Sequence, residues 1–181
     1  ITSTDPSHDG KYIHNIRVVK AEEESLLDSG QTFTPKFLST MAEFHVIRFM
    51  DWSDTNNYAG DGTWADRTHI TDAGWGSSGG VPLEVEIQLA NTVSADPWLN
   101  VPISANDDYI AQMATLAHNT LNTDLKVYVE LSNEVWNTGF AQYKYAAAQG
   151  QATWPNAGAS AGDYNRSWFG MRTAHNCDMW K

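Results

Sequence analysis

The segment Lys126–Leu131 (KVYVEL) is rich in β-branched and aromatic residues, and the polar and aromatic segment Ser132–Asn137 (SNEVWN) follows it directly. The first segment is typical of a strand and the second of a loop at its carboxyl end. Two earlier segments repeat this arrangement. His45–Met50 (HVIRFM) precedes Asp51 and Trp52, and Trp98–Ile103 (WLNVPI) precedes a polar loop.

Helical patterns separate these predicted strands. Asp107–Leu121 carries apolar residues at helical spacing. Pro82–Val93 fits both a strand-like alternation and a helical spacing, and its length and the proline at its start favour a helix. Further helices are predicted over Lys36–Phe44, from about Phe140 to Gln149, and from about Tyr164 onwards. This alternation predicts an α/β fold in which helices cover a parallel sheet, with functional residues at the carboxyl ends of the strands.

Composition excludes several classes of protein. The chain has 181 residues, with 22 acidic and 11 basic side chains, so its formal net charge is -11. Nucleic acids are not expected as partners, because phosphates require clustered Lys and Arg. No apolar run is long enough for a membrane span. A single cysteine, Cys177, excludes an intrachain disulfide, and the six His form no zinc-binding pattern, so no metal site is expected.

Residues 1–34 are predicted to form an N-terminal segment with one strand, Tyr12–Val19. Residues 35–181 are predicted to form the (β/α) domain. Within it, residues 53–80 form a long polar loop that contains Trp64 and Trp75, and loops of this length are usually functional or disordered. The oxygen-rich stretch Asp51–Asp66 has side chains that calcium prefers, but it lacks the EF-hand spacing, and a solvated polar loop is the favoured interpretation.

Three segments carry a resemblance to a known family: VIRFMDW (46–52), ADPWLNVP (95–102) and YVELSNEVWN (128–137). They resemble clan A of the retaining glycoside hydrolases, which are (β/α)8 barrels that include cellulases and mannanases. More closely, they resemble secreted bacterial glycosidase-like proteins. The resemblance covers about residues 35–150 and implies a partial TIM-barrel-like sheet with helices outside. It also implies a secreted or extracytoplasmic location, although no signal peptide is visible in this chain.

The resemblance assigns roles to three residues. Glu134 corresponds to the general acid/base that ends the fourth barrel strand, and Asn133 to the residue that holds the sugar 2-hydroxyl. Arg48 resembles the strand-two arginine near the catalytic carboxylates. Because it lies in an apolar strand, it is expected to be paired, either with an active-site carboxylate or in a structural salt bridge. Aromatic rings could present flat apolar faces to the sugar, and the candidates are Trp52, Trp64, Trp75, Trp98 and Trp136. Trp64 and Trp75, in the long loop, are the two that are expected to be exposed. Because an acid must keep its proton, Glu134 needs either a partly desolvated place or another negative charge nearby, and the adjoining Val135 and Trp136 could provide the first.

The chain departs from the family in one respect. A barrel of this type typically needs about 250 residues, and no residue here matches the nucleophile that ends strand seven. Three explanations stay open: an inactive fragment, two copies that complete a barrel, or another carboxylate in that role. Asp51 is the preferred second carboxylate because it also follows a strand. Asp54, Asp107 and Glu130 are the other local candidates, with a structural ion pair favoured for Glu130.

Three functions compete. The first is a glycosidase that acts on a β-linked polysaccharide or oligosaccharide by carboxylate acid/base catalysis, without a cofactor. The second is a carbohydrate-binding barrel fragment that does not cleave its ligand. The third is a hydrolase of ester or lactone bonds, disfavoured because no GxSxG motif is present. Half a barrel would leave unpaired edge strands, so a homodimer is expected.

Overall fold

The computed structural model describes residues 5–12, 17–57, 60–76 and 79–181. The chain divides into two compact units, Ile1–Thr40 and Met41–Lys181. In the first unit a 3-10 turn, Ala21–Glu23, leads into the short helix α1, Glu24–Asp28. Helix α2 spans Pro35–Met41, three residues shorter at its carboxyl end than predicted.

The predicted strand Tyr12–Val19 is not found in the part of it that the structure describes. Residues 13–16 lie outside the described residues, and residues 17–19 have no regular secondary structure. Val18 is almost fully exposed there. A strand requires a hydrogen-bonding partner, and the described residues of this unit supply none.

The second unit is an α/β structure, as the alternation of patterns predicts. In chain order its elements are β1 Val46–Arg48, α3 Leu83–Val93, β2 Asp96–Val101, α4 Asp107–Thr120, β3 Tyr128–Leu131, α5 Ala141–Thr153 and α6 Ala161–Met179. The three strands pair in parallel in the order β1-β2-β3, and Arg48, Trp98 and Tyr128 lie in register across them. Helices α3 and α4 connect successive strands, and α5 and α6 follow the last one.

The two faces of the sheet differ in polarity because side chains alternate along a strand. One face is apolar and buried, and α3 packs against β2 on it. Each fully buried aliphatic side chain there stabilises the fold by roughly 2 kcal/mol. The other face carries Arg48, Glu130 and the exposed rings of Trp98 and Tyr128. The buried set from the sheet is Ile47, Phe49, Leu99, Val101 and Leu131, and the helices add Ile87, Leu89, Ile110 and Met113.

Capping residues explain where two of the helices begin. Asn106 caps α4, its side chain accepting a hydrogen bond from the Tyr109 amide at 2.8 Å. In α6, Ser160 and Asp163 form a capping box, so the helix begins at Ala161 rather than at the predicted Tyr164. Strand β2 lies two residues earlier than predicted, because it ends before Pro102. No helix in the described parts of the chain is long and apolar enough to cross a membrane.

Gly62 anchors the long loop between β1 and α3. Its φ is +74°, and its carbonyl accepts a hydrogen bond from the Asn106 amide at 2.9 Å. A Cβ atom at this position would lie 2.0 Å from the carbonyl oxygen of Ser104. The loop therefore approaches the segment after β2 so closely that only glycine fits.

We expect Gly62→Ala to lower the free energy of unfolding by about 3 kcal/mol, because it combines a left-handed backbone with steric overlap. Gly74→Ala is the matched control in the same loop, since nothing lies within 4 Å of its Cβ position. Urea unfolding of the two variants beside the parent chain measures the difference. Equal stability of the two variants would contradict the close approach at Gly62.

Candidate functional site

The carboxyl ends of the three strands bring polar side chains together at one edge of the sheet. Arg48 ends β1, Asn100 lies near the end of β2, and Glu130 lies near the end of β3. Asn133 and Glu134 follow β3 directly. The parallel arrangement places these groups together, as expected for a fold of this class.

Arg48 forms a forked ion pair with Glu130 across the sheet. Its Nε lies 3.0 Å from Glu130 Oε2, and its Nη2 lies 2.9 Å from Oε1 and 2.8 Å from Oε2. The guanidinium also stands over the Trp98 ring, 5.2 Å from its centroid. The expectation that Arg48 is paired in its apolar strand is confirmed, and so is the ion pair of Glu130, which is partly exposed rather than buried.

Asn133 is buried and held on both ends of its amide. Its Oδ1 accepts a hydrogen bond from Arg48 Nη2 at 2.9 Å, and its Nδ2 donates to Asn56 Oδ1 at 3.0 Å. Gln142 of α5 donates to Asn56 Oδ1 and to the Asn133 carbonyl, both at 2.9 Å. Asn133 therefore joins the loop after β1 to the loop after β3.

Asn100 completes this arrangement from the middle strand. Its Nδ2 donates to Glu130 Oε2 at 3.0 Å and to the Ser132 carbonyl at 2.9 Å. Sequence analysis did not select Asn100, although a polar residue inside the apolar stretch PWLNV is a usable signal. We call the set Arg48, Asn56, Asn100, Glu130, Asn133 and Gln142 the carboxyl-edge network.

Glu134 projects from a strained turn beside this network. Its φ is +40°, and that of Ser132, two residues earlier, is +60°. Glu134 is exposed and accepts a hydrogen bond from Asn137 Nδ2 at 3.0 Å. Val135 and Trp136 therefore do not provide the desolvated place for Glu134, contrary to that expectation. Val135 turns into the core, whereas Trp136 is 70% exposed and leaves Glu134 open to solvent.

The other candidate carboxylates have different surroundings. Asp51 is exposed in a turn three residues after β1. Asp54 accepts a hydrogen bond from Asn57 at 3.1 Å. Asp107 accepts from Arg172 at 2.5 Å and from His175 at 3.1 Å, and these bonds, the Arg172 bond first, lower the pKa of Asp107.

The candidate tryptophans fall into two groups. Trp98, 37% exposed, lies beside Tyr128 with 6.3 Å between ring centroids, and Trp136 is still more exposed. Trp52 is half-buried, with its ring centroid 5.5 Å from that of Phe49. Trp64 and Trp75 were expected to be exposed, but both are half-buried.

Trp64 is enclosed by its neighbours, which explains why that expectation is wrong for it. Its ring meets Tyr109 edge-on at 5.3 Å, and the Arg67 guanidinium stands 4.2 Å from its centroid. Arg67 is fixed in turn by two hydrogen bonds to Glu84, at 2.7 and 3.0 Å. Trp64 therefore packs within the loop instead of presenting a free face.

The oxygen-rich stretch Asp51–Asp66 is partly engaged in hydrogen bonds of its own. Besides Asp54, Asp66 accepts one from the Asp61 amide at 2.6 Å. Within the described residues no three His, Cys, Asp or Glu side chains are grouped as metal ligands would be.

Glu86 is a buried carboxyl group that sequence analysis missed. It lies in the first turns of α3 and is 2% exposed. Its Oε1 is 2.9 Å from Ser53 Oγ, and burial raises the pKa of Glu86 well above its ordinary value. The available signal is its helical position, since Leu83 and Ala90 share its buried face.

Comparison of the chain with protein-family models, with curated proteins and with solved structures found no match. The side chains at the carboxyl edge of the sheet are therefore the basis for a proposal about function.

We expect Arg48→Lys to lower the free energy of unfolding by about 1 kcal/mol, because a lysine cannot form the fork to Glu130 and also bond Asn133. Arg166→Lys is the control, since Arg166 pairs with Asp163 on the open surface of α6. That change should stay within about 0.5 kcal/mol of the parent. Denaturant unfolding of both variants measures the effects, and equal losses would show that the fork adds nothing.

The buried Glu86 should make stability depend on pH. Its pKa is higher in the folded chain than in the unfolded chain, so the folded state retains this proton as the pH rises. The free energy of unfolding should therefore fall as the pH rises from the ordinary pKa of a glutamate to the raised pKa of folded Glu86. Above that raised pKa, a further rise in pH should not change the contribution of Glu86 to stability. Glu86→Gln should remove that decline and gain stability relative to the parent as the pH increases. Thermal unfolding from pH 4 to pH 9 tests this, and parallel curves would contradict it.

Proposed function

We propose that this chain is a glycoside hydrolase-like protein of a partial TIM-barrel type that acts on a β-linked polysaccharide or oligosaccharide. Glu134 would be the general acid/base in this proposal. The observation that carries it is the turn from Ser132 to Glu134, where two non-glycine residues have positive φ values. Such strain costs about 1 to 3 kcal/mol per residue and is found mostly at functional sites.

The carboxyl-edge network supports this role by fixing the base of that turn. Asn133 stands between the two strained residues, and hydrogen bonds from Arg48 and to Asn56 hold it. Asn137 bonds the Glu134 side chain from the other side, and its amide N–H donates to the Glu134 carbonyl at 2.8 Å. A reactive carboxyl on an exposed but fixed turn is suited to meet a polymeric substrate.

Exposed aromatic rings near the strands supply surfaces for a sugar. Trp98 and Tyr128 lie side by side on the open face of the sheet, and Trp136 follows Glu134 by two residues. Their rings offer flat apolar faces to the C–H groups of a pyranose. A sugar that covers the turn would also remove water from Glu134, and loss of water favours the neutral form that a general acid needs.

Asp51 is the proposed second carboxylate. A retaining mechanism requires the two carboxyl groups to be about 5 to 5.5 Å apart, and an inverting one about 6.5 to 9.5 Å. Asp51 is exposed after β1, and no salt bridge to it is formed among the described residues. Glu130, in contrast, forms the forked ion pair with Arg48.

A carbohydrate-binding role without cleavage is the second candidate. The observation that favours it is the exposure of Glu134, because a general acid is usually protected from bulk water. Trp98, Tyr128 and Trp136 would then bind a glycan by stacking alone.

A homodimer and a secreted location belong to the same proposal. In the described residues β1 and β3 each pair with β2 only, so each has an open edge. Open parallel edges invite pairing with a second copy.

We expect the parent chain to release reducing sugars from at least one of a panel of β-glucans, mannans and xylans. Glu134→Gln should lower that rate by a factor of about 100 or more, the usual contribution of a general acid. Glu43→Gln is the control, because Glu43 is exposed in the turn before β1, at the opposite end of the strand. Asp51→Asn in the same assay tests the second carboxylate.

Undiminished release by Glu134→Gln would overturn the assignment of the acid. Retention on insoluble polysaccharide without release of sugar would favour the binding role.

A further inference from the structure

We propose that Glu86 is a positioning residue for the loop after β1. In its neutral form it donates a hydrogen bond to Ser53 and holds residues 51–57 in the arrangement that fixes Asn133, and its ionisation loosens that loop. The inference extends the proposed function to a residue outside the carboxyl-edge network. Its test does not require hydrolysis, so the two proposals can fail separately.

A count of hydrogens supports a neutral Glu86. Ser53 Oγ lies 2.9 Å from Glu86 Oε1 and 3.0 Å from the carbonyl oxygen of Phe49. The carbonyl can only accept, and the serine hydroxyl has one hydrogen to give. Both contacts can be hydrogen bonds at once only if Glu86 carries a proton and donates it to Ser53. The resulting relay runs from Glu86 through Ser53 to the end of β1.

Residues 51–57, the loop that contains Ser53, are hydrogen-bonded to the candidate site. The Ser53 amide donates to the Phe49 carbonyl at 2.8 Å, and the buried Thr55 donates through its hydroxyl to the Met50 carbonyl at 2.9 Å. The next residue, Asn56, accepts the hydrogen bonds of Asn133 and Gln142. Glu86 thus acts on Asn133 through a short run of bonded loop residues.

Arg67 is the one cation among the described residues that line the cavity beside Glu86, and its two terminal nitrogens are held by Glu84. The cavity measures about 30 Å³, and Arg67 from the loop and Tyr109 from α4 line it, with neutral Asn100 and Pro102 from the β2 side. The space is sufficient for a water molecule, which can carry the proton in and out. Ionised Glu86 would then compete with Glu84 for Arg67.

Amide hydrogen exchange of residues 49–57 between pH 5 and pH 9, corrected for intrinsic exchange rates, tests the proposal. In the parent chain the protection of Ser53 and Thr55 should fall about tenfold or more as the pH rises, while β2 stays protected. Glu86→Gln should keep the loop protected throughout, because its amide nitrogen is a permanent donor to Ser53. Glu84→Gln should move the transition to lower pH, because it frees Arg67 for Glu86.

Identical pH profiles for the parent and Glu86→Gln would overturn the proposal. So would infrared spectra of the folded parent from pH 5 to pH 9 in which no protonated carboxyl group persists above the ordinary glutamate range. The spectra are recorded on the parent chain, so they test the proposal even if Glu86→Gln does not fold. If the protection of the loop changes with pH as proposed but the chain releases no sugar, the positioning role of Glu86 is supported. That result contradicts only the proposed enzymatic function.

Discussion

The forked pair between Arg48 and Glu130 is the interaction on which the carboxyl edge of the sheet depends. It joins the two outer strands, and Asn100 of the middle strand bonds the same carboxylate. A guanidinium in an otherwise apolar strand is costly unless its donors are used. Here the Nε and Nη2 atoms of Arg48 donate to Glu130, and Nη2 also donates a hydrogen bond to Asn133. Arg48 thereby connects β1 with β3 and with the loop that follows β3.

That order explains how a strained turn can persist after β3. Ser132 is fully buried with a positive φ, and the Asn100 side chain bonds its carbonyl. The Asn133 side chain is held by Arg48 of β1, and the carbonyls of Ser132 and Asn133 are held by Asn100 of β2 and Gln142 of α5. An isolated segment of this sequence would relax to ordinary φ values, because left-handed conformations of non-glycine residues are unfavourable.

The sequence predicted those features that depend on local patterns. The strand-helix alternation, the parallel sheet and the helix over Leu83–Val93 follow from hydrophobic spacing, and they are confirmed within a few residues. The exposure of Glu134 could not be predicted in the same way, because it depends on which way its side chain turns once distant elements have packed. The burial of Glu86 has a local signal in its helical position, but its partner Ser53 comes from a distant loop. Trp64 is a similar case, because the residues that enclose it, Arg67 and Tyr109, come from a loop and a later helix.

The charges around the site narrow the choice of reactive group. Arg48 compensates Glu130, burial favours the neutral form of Glu86, and Arg172 holds Asp107. Glu134 and Asp51 differ from these three, since each is exposed and neither forms a salt bridge within the described residues. A carboxylate bound to an arginine is a poor proton carrier, because transfer must first break a charge-assisted bond. The arrangement of cations therefore favours Glu134 and Asp51 as the pair that could exchange protons or bonds with a substrate.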